Sequence, residues 1–140
     1  MTTPARTDTP VSVPRSQYEW GRASELRSRR NYFGLNQHEF AAEMGMSRRS
    51  LQAMEVGRDA IPASLWSALD TLTDRFDDEV ETLVACLDSS KIVLRASRND
   101  SAWDRMVRAR ALHEVGGTRR VTSADDESAI REMQEEERTL

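Results

Sequence analysis

A chain of 140 residues, 38% hydrophobic and 31% charged, holds one domain, or one small domain with an appendage, and too little apolar material for a large enzyme. Its formal charge of −4, from 20 basic and 24 acidic residues, excludes a protein that is basic throughout, such as a histone-like coat on nucleic acid. The apolar runs are too short to span a membrane, residues 1–14 lack a signal-peptide stretch, and the single Cys86 leaves neither an internal disulfide nor a multi-cysteine zinc site; a cytoplasmic protein is expected.

Charge is segregated along the chain. Residues 1–60 carry 9 basic and 7 acidic side chains, a net of +2; residues 61–90 carry 1 and 7, a net of −6; residues 91–120 carry 8 and 3, a net of +5; residues 121–140 carry 2 and 7, a net of −5. The two basic regions are candidates for contact with a polyanion, and the acidic ones repel wrong partners.

In chain order, residues 1–15 hold Pro4, Pro10 and Pro14 among polar residues and read as a disordered arm, either a plain tail or one that reaches along DNA with Arg6 and Arg15. A first helix is predicted from a cap at Ser16, with Tyr18, Ala23, Leu26 and Arg30 on one face and a stop at Asn31 and Gly34. Asn36 with Glu39 forms a capping-box pair at the start of a second helix, whose inner face is Phe40, Ala41 and Met44. Gly45 ends it, because the residue past a helix end takes a positive φ at no steric cost only when it is glycine. Ser47 caps a third helix over residues 48–56, with Leu51 and Met54 inward and Gly57 beyond. Pro62 pre-sets a fourth, and Leu65, Leu69, Leu72, Phe76, Val80, Leu83 and Leu87 recur at spacings of 4 and 3, either in one long helix or in two broken at Asp77 and Asp78. Residues 91–95 are the best strand candidate. Residues 101–115 are helical with Trp103, Met106, Val107, Arg110 and Ala111 around one side. Gly116 and Gly117 break that helix, residues 118–122 are a possible second strand, and Ser123 caps an acidic helix from Asp125 towards Arg138.

Residues 37–56 carry the functional signal. Two short helices crossing at a three-residue turn need a small residue at the crossing (Ala41), a left-handed-tolerant turn residue (Gly45) and apolar residues at five fixed positions, filled by Phe40, Met44, Met46, Leu51 and Met54. Together these requirements specify a helix-turn-helix. Over residues 24–76 the chain resembles the Cro/C1-type (XRE-like) helix-turn-helix regulators of phages and bacteria. The resemblance rests on Leu26, on Gly34-Leu35-Asn36-Gln37, on the block from Met46-Ser47-Arg48-Arg49 through Glu55-Val56-Gly57-Arg58, and on Ile61-Pro62. Many members of that family have a polar residue where this chain has Val56. Beyond Phe76 the chain more loosely resembles small phage-encoded regulators that dimerise through a C-terminal part, including anti-CRISPR-associated autorepressors.

The resemblance implies a mainly α fold: a five-helix Cro/C1-type domain over residues 16–76, a helical dimerisation region with one or two short strands over 77–122, and an acidic helix or tail over 123–140. It implies a sequence-specific, double-stranded-DNA-binding repressor acting as a homodimer on a near-palindromic operator. The third helix would enter the major groove, with Arg48, Arg49, Gln52 and Ala53 reading bases. Arginine donates two hydrogen bonds to guanine, glutamine pairs two-fold with adenine, and an alanine methyl meets a thymine methyl. Gln37 would clamp a phosphate, aided by the open amides of its helix start. Arg58, Ser47 and Ser50 are further DNA-binding candidates.

A solvated helix face is the bland reading of Arg48 and Arg49; within this scaffold DNA contact outweighs it. Glu55 is expected to pair with an arginine, one from the first helix being a candidate. His38 and His113 read as surface residues with no second metal ligand at suitable spacing, Cys86 as a small buried hydrophobe, Trp66 and Trp103 as core or interface, and the acidic run Asp77-Asp78-Glu79 with Glu81 as a helix N-terminus favoured by the dipole. The basic residues Arg95, Arg98, Arg105, Arg108 and Arg110 either bind phosphates or pair with the acidic 70–81 surface of this or a second subunit; pairing is the expectation. No catalytic residue, metal or cofactor is expected. The rival reading is an antitoxin or adaptor whose C-terminal half binds a protein partner. RNA control is a weaker third reading.

Overall fold

The computed structural model describes residues 20–89, 93–117 and 120–140. They form six helices and two short strands in the order α1 (Ala23–Tyr32), α2 (Gln37–Met44), α3 (Arg48–Glu55), α4 (Ala63–Ser89), β1 (Leu94–Arg95), α5 (Ala102–Val115), β2 (Val121–Thr122) and α6 (Ala124–Thr139). The fold is mainly helical, as expected. The N-terminal arm and the Ser16 cap lie outside the described residues.

Within the described residues the first helix starts later than predicted. Trp20 and Gly21 lie in a bend with Gly21 at φ 93°, so a helix cannot run through them. Arg22 is the N-cap, and its side chain does not bond the free amides of the first turn. Instead its guanidinium takes both oxygens of Glu25 at 2.8 and 2.7 Å and lies 3.7 Å from the centre of the Trp66 ring. That bond holds the Glu25 carboxyl below the usual range.

The α2 start follows the sequence closely. Asn36 accepts from the Glu39 amide, the Glu39 carboxylate accepts from the Asn36 amide at 2.9 Å, and Gly45 closes the helix in the left-handed region at φ 68°. Ser47 accepts from the Ser50 amide and caps α3. The 4-and-3 repeat forms a single helix, α4, whose Leu69, Leu72, Phe76, Val80 and Leu87 are buried. α4 passes through residue 76 without a break.

The expectation of a helix start at Asp77 is therefore corrected: Asp77, Asp78, Glu79 and Glu81 lie in the middle of α4, where no free N-terminal amides exist. Two of them, Asp77 and Glu79, are met by side chains instead. The Tyr32 hydroxyl donates to Asp77, and the Trp103 indole donates to Glu79 at 2.8 Å. Cys86 is likewise corrected, being exposed. Successive residues point about 100° apart on a helix, so Leu87 on the buried stripe turns its neighbour away.

Five helices share one core. Phe33 is its centre, stacked on Phe40 and Trp103 with ring centroids at 6.0 and 5.8 Å and edge-on to Phe76 at 5.2 Å. α5 delivers Trp103, Val107 and Ala111 to that core, so the fifth helix comes from beyond residue 76. Gly34, at φ +71°, lets the chain pass under α5: a Cβ there would stand 2.7 Å from the Met106 sulfur.

β1 and β2 are parallel, Leu94 opposite Val121 and Arg95 opposite Thr122. Both are shorter than the stretches predicted, of which residues 91–92 and 118–119 lie outside the described set. Arg120 anchors the pair to α4 by donating to the Leu87 carbonyl at 2.7 Å. Arg95, Arg98, Arg105 and Arg108 are paired, but not with the 70–81 surface of this chain. Arg95 meets Glu127 and Arg98 meets Asp125, both at 2.9 Å; Arg105 meets Glu39 at 3.6 Å and Arg108 meets Asp100 at 2.9 Å. Arg110 donates to the Tyr32 carbonyl and covers the Tyr32 ring. The short strands turn Arg95 and Arg98 towards α6, while acids of α4 are met by Arg29 and Tyr32 of α1, Arg75 of α4 itself and Trp103 of α5.

Candidate nucleic-acid interface

The site is built on the packing of α3 against α1 and α2. α3 buries Leu51, Met54 and Glu55 and exposes Arg48, Arg49, Ser50 and Gln52, with Ala53 half-buried. The pattern follows from 3.6 residues per turn, which puts residues 51, 54 and 55 on one side. Met44 and Met46 pack against the margin of the core beneath the turn.

A buried ionic lock sets the direction of α3. Glu55, 1% exposed, accepts from Arg30 Nε at 2.8 Å, from Arg30 Nη2 at 3.0 Å and from Gln37 Nε2 at 3.2 Å. Arg30 Nη1 also donates to the Leu35 carbonyl at 3.0 Å. One carboxylate thus joins α1, the loop after it, the first turn of α2 and the last turn of α3. A bidentate arginine–carboxylate pair fixes direction as well as distance. The expected Glu55–arginine pairing is present.

Gln37 sits elsewhere than a pure phosphate clamp would. It is half-buried and one of its amide protons goes to Glu55. The chain makes this possible because Gln37 is the first residue of α2 and faces the last turn of α3. Sequence reasoning missed this inward bond; the signal for it was the polar Gln37 beside an acid, Glu55, on an otherwise apolar inner face. The first amides of α2, at Gln37 and His38, precede any residue able to accept them within the helix. His38 is exposed, as is His113.

The chain past α3 folds back towards the same edge. Gly57 takes φ 79°, and the Arg58 and Asp59 amides both donate to the Ala53 carbonyl, at 2.9 and 3.2 Å. Arg49, Ser50, Gln52, Ala53, Arg58 and Asp59 consequently line one polar concavity. Ser47 is committed to the cap: its oxygen accepts from the Ser50 amide at 3.1 Å and its hydroxyl donates to Ser50 Oγ at 2.9 Å. Ser50 Oγ is the acceptor in that bond, so its own hydroxyl proton is not used there. Among the described residues, no ion pair or hydrogen bond engages the side chains of Arg48, Arg49, Gln52 or Arg58, whereas Arg22, Arg29, Arg30 and Arg75 each hold a carboxylate. Val56, 59% exposed, ends this edge with an apolar patch.

Chemically the edge offers three guanidinium groups and a carboxamide at one surface, all able to donate and poorly suited to bond making or breaking. Among the described residues no group of three or more His, Cys, Asp or Glu could hold a metal ion, and no helix is long and apolar enough to cross a membrane.

Residues 26–74 match the family model described as Helix-turn-helix. Neither the curated proteins nor the solved structures contain a match to the chain. The matched span begins at Leu26 in α1, includes α2 and α3 whole, and ends within α4. The family binds DNA and is not an enzymatic one. Residues 26–74, 49 of the 140, are therefore a helix-turn-helix domain, a kind of domain that implies DNA binding.

Proposed function

We propose that this chain is a sequence-specific transcriptional regulator, a repressor of the phage or mobile-element type that binds a near-palindromic operator as a homodimer in the cytoplasm. Residues 48–53 lie in the major groove. Arg48 and Arg49 read guanines, Gln52 reads an adenine and the Ala53 methyl meets a thymine. Arg58, Ser50 and the start of α2 at Gln37 hold phosphates, with Ser47 setting the start of α3. Two copies present two such helices about 34–36 Å apart, one turn of DNA. Repression follows from occlusion of a promoter.

The observation that carries the reading is the group of unpartnered donors, Arg48, Arg49, Gln52 and Arg58, on the exposed edge of a helix whose opposite side is locked by Glu55. Selection from random duplexes followed by footprinting tests it. The expected result is one enriched motif with two symmetric halves, lost when Arg48→Ala and Arg49→Ala are combined. Failure to enrich any motif, or unchanged binding by the double variant, overturns it.

A further inference from the structure

We propose that Asp59 is a further specificity-determining residue: its carboxylate accepts a hydrogen bond from the exocyclic amino group of a cytosine in the operator half-site. The proposal rests on the DNA-binding reading above and adds to it a charged acceptor that the outward edge of α3 lacks.

Asp59 lies beyond α3, and the backbone brings it back to the helix. Gly57 turns the chain at φ 79°, and the Arg58 and Asp59 amides converge on the Ala53 carbonyl, at 2.9 and 3.2 Å. That carbonyl belongs to a residue of the outward edge, so the loop is tied to the helix beside its exposed side chains. Asp59 thereby lines the same concavity as Arg49, Ser50, Gln52, Ala53 and Arg58. It also borders the methionine-lined groove between α3 and α4, and so forms part of the wall between the two.

The side chain is exposed. Among the described residues no ion pair or hydrogen bond engages its carboxylate, although two arginines line the same concavity. An acid that meets only phosphates weakens DNA binding, because like charges repel. It strengthens binding only where the DNA offers a donor. In the major groove those donors are the amino groups of cytosine and adenine, and a carboxylate suits cytosine. Arg49, Gln52 and Arg58 all bring donors to this surface, and Asp59 is the one carboxylate among the residues lining the concavity. It therefore acts twice on specificity, by rewarding cytosine at one position and by penalising contact made through phosphates alone.

The test compares the full chain with Asp59→Ala, circular dichroism confirming that the variant keeps its helix content. Each protein is put through selection from random duplexes, and fluorescence anisotropy then measures binding to the selected operator, its single-base variants and a random-sequence duplex. Wild type is expected to prefer cytosine at one position of each half-site. Asp59→Ala should lose that preference by roughly tenfold and bind the random duplex more tightly than wild type does. Replacing that cytosine by a pyrimidinone base, which lacks the amino group, should weaken wild type and leave Asp59→Ala unaffected. Arg49→Ala should keep the cytosine preference. Base preferences that Asp59→Ala leaves unchanged overturn the proposal, even if all duplexes then bind more tightly, since that reports repulsion alone. An equal penalty from the pyrimidinone base in both proteins overturns it too. A wild type that selects no motif sinks this inference together with the DNA-binding reading, whereas a motif that Asp59→Ala shares at every position sinks this inference only.

Discussion

Arg30 on α1 and Glu55 on α3 meet in a two-pronged ion pair, 15% and 1% exposed at the side chain, that also captures Gln37 from α2. It holds the exposed edge of α3 at a fixed angle to its predecessor. Breaking a buried pair from one side leaves an uncompensated charge, at a cost of about 3–5 kcal/mol. Glu55→Ala is expected to lose stability on that scale in urea unfolding. Replacing Arg30 and Glu55 together by Met and Leu recovers most of it, because neither charge is then stranded.

Arg49 and Gln37 differ in what their loss does to recognition. Arg49→Ala removes a two-pronged base contact worth roughly 1–3 kcal/mol, so the preference at one base position relaxes while other duplexes bind almost as before. Gln37→Ala weakens all duplexes alike and leaves the slope of log affinity against log salt unchanged, because an uncharged carboxamide releases no counterion. Fluorescence anisotropy titrations over a range of salt, against the selected operator and its single-base variants, separate the two patterns.

Trp103 on α5 fills the aromatic cluster of Phe33 and Phe76 and donates its indole proton to Glu79. Trp103→Ala is expected to destabilise the protein by about 3–5 kcal/mol. Because the cavity opens against Phe33, next to the loop that joins α1 to α2, the variant should also bind DNA more weakly near its unfolding midpoint. Thermal unfolding with and without operator reads both effects.

Asp100 organises the turn before α5. Its carboxylate accepts from the Ser97 amide at 2.8 Å and from Arg108 at 2.9 Å, which hold it below its ordinary 3.8. A depressed folded pKa contributes stability above the unfolded value and loses it as pH falls through the folded one. Acid therefore weakens this turn below about pH 3.8, and Asp100→Asn is expected to flatten that part of the stability–pH curve while lowering stability at neutral pH. Urea unfolding at a series of acidic pH values checks the sign.

Tyr32 behaves in the opposite sense. Its hydrogen bond to Asp77, with burial second, raises the phenol above 10.0. The contact is fully present below pH 10 and is lost as pH rises through the raised value. Tyr32→Phe should remove the alkaline loss, seen by following unfolding alongside the ultraviolet absorbance of tyrosinate.

Local chemistry is what a sequence reads well, and the helix-turn-helix was legible for that reason. Asn36 with Glu39, Gly45, Ser47 and the spacing of Phe40, Leu51 and Met54 act within a few residues, so their geometry needs no distant partner. The repeat from Leu65 to Leu87 likewise specified a helix, and Arg48, Arg49 and Gln52 lie outward as read from the sequence, whereas Ala53, read as outward too, is half-buried. Only the tertiary structure decided the rest. Whether α4 breaks at Asp77 depended on Tyr32 and Trp103 coming from elsewhere to meet its acids. The exposure of Cys86 depended on which side of α4 faces α5, and the partners of Arg95 and Arg98 on a parallel pairing of two two-residue strands. The inward bond of Gln37 depended on the first turn of α2 meeting the last turn of α3. These are contacts between residues far apart in the chain, with no periodicity to announce them, and they form because burial of Phe33 and its neighbours brings the elements together.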